Sequence, residues 1–244
     1  MVERYQTLSF TRGRLPHWLV AGHAYFVTLC RKGCLPERAV AELRAERAER
    51  AARLQRSMPS GRTVARDVPD RACGTCALRA SGDVRPYLPD CTAALEEQRR
   101  RFSSLEAILD AASRSERDVC APAVSGVLLK NLEWLRGCGW RVWAATLMPS
   151  HAHLVLSNTE GRGGELLGDL SRFMAYTARL INAARGGSGA FWQREPFDHW
   201  CRDGDSWLRC VAYTLNNPVK AGLCRSWREW PHTVADPEAE ALLQ

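Results

Sequence analysis

The stretch "LMPSHAHLVL", Leu147 to Leu156, decides how this chain is read. Its apolar residues are of strand type, and a strand turns successive side chains to opposite faces. His151 and His153 therefore point one way, while Ala152 and Leu154 point the other way, into a core. Two imidazoles side by side on one face can share a metal ion. The plain alternative is a pair of solvated histidines on a surface strand. Metal hydrolases with a His-x-His-x-Asp pattern are a third reading, against which Val155 stands at the position of the acid.

Outward from this stretch, "GWRVWAATLM" before it and "HAHLVLS" within it read as two strands joined at Pro149-Ser150, an antiparallel hairpin. "PAVSGVLLKNLEWLRG" ahead of the hairpin is a helix that opens with Pro122 and closes at Gly137. "GELLGDLSRFMAYTARLINAAR" after it is an amphipathic helix, followed by a flexible "GGSG" and a short strand around Phe197 to Cys201. A last helix starts near Asp205, a good N-cap, and runs to Pro218. Near the N-terminus, "HAYFVTLC", His23 to Cys30, is a strand rich in aromatic and β-branched residues. Residues 36–56 are helix-forming with interleaved Glu and Arg, and "ALEEQRRRFSSLEAILDAAS" is a further helix. Between them, residues at about 57–93 break every period with Pro, Gly, Asp and Cys, which marks an insertion. The order predicts an α+β class: one domain over residues 1–244, built on an antiparallel sheet with helices on one face.

The 244 residues suffice for a substantial core, and 45% hydrophobic with 25% charged residues is the composition of a globular protein. A net charge of +7 points to an anionic partner, with nucleic acid foremost. The positive charge is almost all arginine, since Lys occurs only at Lys32, Lys130 and Lys220. Arginine suits bidentate phosphate contacts, although codon bias in a GC-rich genome explains it equally well. No secretion signal and no membrane-spanning run stand in the sequence, so a cytoplasmic protein without a membrane partner is expected. The ten cysteines then read as reduced thiols. Cys73 and Cys76 form a lone Cys-x-x-Cys, a candidate for a structural zinc with Cys91 and Cys120 as further ligands.

The last helix carries "YTLNNPVKAG", Tyr213 to Gly222. Tyr213 and Asn217 are four apart and share a helix face, so an amide oxygen at Asn217 can join the two histidines on a metal with Tyr213 beside it. Pro218 removes a backbone donor and is expected to disturb or end the helix there. A core tyrosine on an amphipathic helix is the ordinary alternative. Taken together, "RLPHWLVAGHAYFVTLC", "LMPSHAHLVL", "FWQREPFDHWCRD" and "YTLNNPVKAG" resemble the single-tyrosine HUH transposases, most closely the REP-associated tyrosine transposases of bacteria. The last three blocks agree in order and spacing as well as in residue type. The arginine-rich helix and the insertion match loosely or not at all.

The resemblance implies a ferredoxin-like sheet of the HUH-endonuclease type. It also implies His151 and His153 as metal ligands, Asn217 as the third ligand and Tyr213 as nucleophile. Tyr176, on the preceding helix, is the rival tyrosine; it lies outside the matched motif, with Leu180 four residues on, and reads as packing or a DNA contact. Ser150 stands where the family often has Asn. The implied reaction is metal-dependent cleavage and rejoining of single-stranded, hairpin-forming DNA through a 5′-phosphotyrosine. Magnesium or manganese is the expected ion, with softer metals competing. Trp18, Trp192 and Trp200 are candidates for base stacking or for the core, and His17 and Arg14 stand where DNA could be touched. Both a monomer and a homodimer are compatible with the family. Three rivals stay open: a catalytically inactive, domesticated hairpin-binding protein; a zinc hydrolase using His151 and His153; and an inert protein with a zinc-binding cysteine loop.

Overall fold

The computed structural model describes residues 7–12, 16–20, 22–34, 108–109, 119–158 and 166–243. The predicted helix at 36–56, the insertion at 57–93 with Cys73, Cys76 and Cys91, Arg14, and nearly all of the helix at 94–113 lie outside the described residues.

In chain order the elements are β1 (Thr7–Arg12), β2 (Pro16–Val20), β3 (Ala24–Cys30), α1 (Pro122–Gly137), β4 (Trp140–Leu147), β5 (His151–Asn158) and α2 (Leu166–Arg185). They continue with β6 (Phe197–Trp200), α3 (Gly204–Lys220), a 3-10 turn (Trp227–Glu229), β7 (Thr233–Ala235) and α4 (Pro237–Ala241). β1 and β2 form a two-stranded ribbon, and the other strands form one antiparallel sheet in the order β6-β3-β5-β4-β7. The class is α+β, as the pattern predicts, and the His-bearing strand lies at the middle of the sheet.

Period-two alternation sorts β3 and β5 into two apolar layers. Tyr25, Val27, Leu29, Ala152, Leu154 and Leu156 join one cluster with Leu128, Leu132 and Leu135 of α1 and Leu170 and Phe173 of α2. Phe26, Ala144 and Val155 face the opposite way and pack against Val211 and Leu215 of α3. The helices therefore cover both faces of the sheet, which corrects the expectation of one helical face. The reason is visible in β3 and β5: both alternating sets are buried, as they must be in strands covered on both sides.

Polar groups fix the layers. Trp140 Nε1 donates to the buried Asp169 carboxylate at 2.9 Å, pinning α2 to the start of β4, and Arg172 pairs with the same carboxylate from the surface. Gly139, at φ 91°, makes the left-handed turn from α1 into β4. On the α3 side, the Trp207 ring meets Trp143 edge-on at 4.8 Å, and the Arg141 guanidinium lies 3.7 Å over the Trp143 ring. Arg141 also holds Asp236 and Glu238 at the start of α4.

Trp192 and Trp200 belong to the buried cluster, and Trp192 Nε1 donates to Thr177 Oγ1 at 3.0 Å. Of the two alternatives for these rings, the core is the one they occupy. The described cysteines carry free thiols, Cys120 among them. Among the described residues no helix is long and apolar enough to cross a membrane.

Candidate functional site

The site is built where β5 faces α3. The β4–β5 turn is closed by Met148 N–H donating to the His151 carbonyl at 2.8 Å, and Arg31 N–H donates to the Ser150 carbonyl at 3.0 Å. These bonds fix the backbone on both sides of His151. Across β5, His153 stands opposite Thr28 on β3 and Thr146 on β4, so a row of polar side chains crosses the sheet on the α3 side. Opposed strand partners lie only about 5 Å apart at Cβ, close enough for direct contact.

His151 and His153 are wholly buried. Their Nε2 atoms face each other at 2.9 Å. The other nitrogen of each ring meets a hydroxyl: Ser150 Oγ lies 3.0 Å from His151 Nδ1, and Thr28 Oγ1 lies 3.1 Å from His153 Nδ1. A hydroxyl on Nδ1 sets the ring's rotation and leaves Nε2 to point at the partner ring. Burial pushes the His151 imidazole down to about 3. His153 is pushed well below its ordinary value, first by burial, then by the neighbouring His151 and by Lys220. Both rings are therefore neutral at pH 7, the state in which imidazole is a ligand.

α3 brings the remaining residues. Its N-cap is Asp203, in extended conformation, whose side chain accepts from Ser206 N–H at 2.6 Å. This replaces the expected Asp205, which sits inside the first turn. The helix also runs past Pro218 to Lys220. Proline's fixed φ suits a helix, and so near the end its missing N–H costs a single bond, so the predicted interruption does not occur. Ala221 N–H still reaches the Asn217 carbonyl at 2.9 Å.

Asn217 is buried, and its Nδ2 lies 3.3 Å from His153 Nε2. The other atom of that amide, Oδ1, is buried with no hydrogen-bond partner. One helical turn earlier, the half-buried Tyr213 ring sits 5.7 Å from the His153 ring and 5.8 Å from Phe26, centroid to centroid. The four residues singled out from sequence are thus gathered in one place. Tyr176 is not among them. It lies on α2, on the other side of the sheet, 40% exposed with the Arg179 guanidinium 5.2 Å over its ring.

The donor set fits a divalent ion. Two neutral Nε2 atoms at 2.9 Å match the roughly 3 Å between neighbouring ligands on one ion, given bond lengths near 2.1 Å. An amide that turns over puts its unpartnered oxygen beside them as a third donor. Among the described residues, no group of three or more His, Cys, Asp or Glu forms a metal site, so the additional acid or histidine a zinc hydrolase predicts is not found there.

Thr28 and Ser150 were missed as contributors to the site. The signal was present: Phe26, Thr28 and Cys30 alternate onto one face of β3, and an interior hydroxyl among apolar residues needs a partner.

No family model matches the chain, and no curated protein does. Among solved structures, the chain is similar to that of a REP-associated tyrosine transposase bound to a REP hairpin. The two are 21% identical with a TM-score of 0.40, over 49% of this chain and 68% of the other.

Proposed function

We propose that this protein is a DNA-cleaving and rejoining enzyme of the single-tyrosine HUH transposase type, with single-stranded, hairpin-forming DNA as substrate. One observation carries the reading: a buried pair of neutral imidazoles on the central strand meets an amide and a tyrosine presented one turn apart on α3. His151, His153 and Asn217 would hold a divalent ion. When bound, that ion supplies Lewis acidity to the scissile phosphate and fixes its orientation.

The protein's own residues do the rest. Thr28 and Ser150 accept from Nδ1–H and keep both Nε2 lone pairs directed at one point. The Tyr213 oxygen attacks phosphorus, and the 3′ oxygen leaves as a hydroxyl. A phosphotyrosine retains the bond energy of the original diester, so the same step run backwards joins the strand to another 3′ end. The net charge of +7 favours the polyanionic substrate.

The test is covalent capture. A labelled single-stranded hairpin is incubated with the protein and manganese, then run on a denaturing gel beside Tyr213→Phe and Tyr176→Phe. A retarded band lost only in Tyr213→Phe is expected. Loss only in Tyr176→Phe would move the nucleophile to α2. No adduct on DNA that demonstrably binds would leave a hairpin-binding protein without cleavage.

A further inference from the structure

Two thiols meet where β6 gives way to α3. Cys201 follows β6, and its N–H donates to the Ala24 carbonyl of β3 at 2.7 Å, so Cys201 prolongs the strand opposite Ala24. Opposed residues of antiparallel strands share a face, and Ala24 shares its face of β3 with Phe26, on the side that α3 covers. The Cys201 side chain is therefore turned toward α3, and it is buried there. Cys210, about two turns into α3, packs against the same cluster as Phe26 and is half-buried. The two thiols are hydrogen-bonded to each other. Their protons are held unequally. The Cys201 thiol is raised, first by that bond and then by burial, whereas the bond draws the Cys210 thiol below its ordinary value, against burial and with help from Arg209. Cys201 S–H is thus the donor and the Cys210 sulfur the acceptor. Burial raises the thiols of Cys138 and Cys224 instead.

We propose that Cys201 and Cys210 form a modification site: a low-molecular-weight disulfide oxidises the two thiols to one intramolecular disulfide that bonds α3 to the end of β6. Cys210 has the features of an attacking thiol, with partial exposure and a proton it gives up readily. Cys201 has those of a resolving thiol, sealed from the oxidant but in contact with the sulfur it must reach. In the first exchange the Cys210 sulfur bonds to one sulfur of the oxidant, the oxidant's S–S bond breaks, and the departing thiol takes the Cys210 proton. In the second, the Cys201 sulfur bonds to the Cys210 sulfur, expels the remaining half of the oxidant and hands it the Cys201 proton. Two protein thiols lose two electrons and two protons, and one small disulfide becomes two thiols. A disulfide closes at about 2 Å between sulfur atoms, and thiols already in contact are placed for it. Cys210, Tyr213 and Asn217 stand at i, i+3 and i+7 of α3, so the bond would fasten the helix that carries them to a terminal strand of the sheet. Neither exchange uses Tyr213, the histidines or a metal.

The test treats the folded wild-type protein with oxidised glutathione in the presence of chelator, quenches in acid, alkylates the remaining thiols and maps the cysteines by mass spectrometry of peptides. A peptide pair joined through Cys201 and Cys210 is expected, two hydrogens lighter than the reduced pair, and dithiothreitol should restore both thiols. Cys210 should be consumed about 10-fold faster than Cys138 or Cys224. In Cys201→Ser the glutathione should stay attached at Cys210, since no resolving thiol is left; the wild-type map stands by itself should that variant not fold. Glutathione retained on Cys210 of the wild type overturns the proposal, because Cys201 would then be out of reach. A bond from either thiol to a different cysteine overturns it too. So do two free thiols at a glutathione excess that oxidises them in the urea-unfolded chain.

Discussion

Asn217 is placed badly for a buried amide and well for a ligand. Its Oδ1 is sealed from solvent without a hydrogen bond, a state that costs about 1–3 kcal/mol. Replacing it with an apolar residue of similar size removes that cost along with the donor. Asn217→Leu is therefore expected to raise the stability of the metal-free protein by about 1 kcal/mol in urea denaturation. In the same preparation, manganese affinity measured by calorimetry should fall. Thr28→Val, which removes only the hydroxyl on His153 Nδ1, should weaken manganese about 10- to 100-fold. A gain in neither stability nor loss of metal for Asn217→Leu would mean that the amide is ordinary packing. The histidine pair and the Tyr213–Asn217 pair were legible from spacing alone, because periods of two and four fix which side chains share a face. Choosing Tyr213 over a core tyrosine took the family resemblance, since nothing in an isolated i, i+4 pair says what faces it.

At the scale of elements, the expected strands and helices that lie among the described residues fell close to where alternation and Pro or Gly punctuation put them, whereas β1, β2, β7 and α4 were not foreseen. Asp203 and Asp205 are equally good capping residues by type; the choice was made by backbone conformation, extended at Asp203 and helical two residues later. Pro218 reads from sequence as an interruption because a proline's type alone does not give its distance from the helix end, here Lys220. The side of the sheet taken by α3 was illegible for another reason. An amphipathic helix announces that it has an apolar face, but Phe26 and Val155, the residues that receive it, look like any other core positions in their strands. Asp203→Ala should lower stability by about 1 kcal/mol, visible as a reduced Tm. Tyr213 lies more than two turns from this cap, so adduct formation at a temperature below the transition should persist. A nuclease-dead but fully stable variant would show that the cap serves the site rather than the helix.

The whole molecule carries two buried neutral imidazoles through its centre, and that makes its stability depend on pH. The folded pKa of His151 is lowered to about 3 and that of His153 is lowered as well, both chiefly by burial. Below the ordinary value of about 6.5 the unfolded chain takes up protons that the folded one refuses, so stability is full above that value and falls as pH drops. Asp236 acts in the same direction at lower pH: Arg141 holds its carboxyl below the ordinary range, a contribution lost on acidification through that range. Between pH 7.5 and pH 5 with chelator present, His151 alone accounts for about 2 kcal/mol. The urea midpoint should drop accordingly in the wild type and drop less in a His151→Leu, His153→Leu double variant. Equal pH dependence in the two proteins would refute the buried neutral pair.

The placement of Asn217 and Tyr213 on one helix has a mechanical corollary. The two imidazoles belong to a strand paired on both sides, whereas the amide and the phenol ride together near the end of α3. On the proposed function, a shift of α3 away from the sheet would draw off Tyr213, any strand end bonded to it, and Asn217 in one stroke, while the histidines stay put. The same rigid body would then serve as carrier and as latch: a strand end on Tyr213 would travel only with Asn217 withdrawn from His151 and His153.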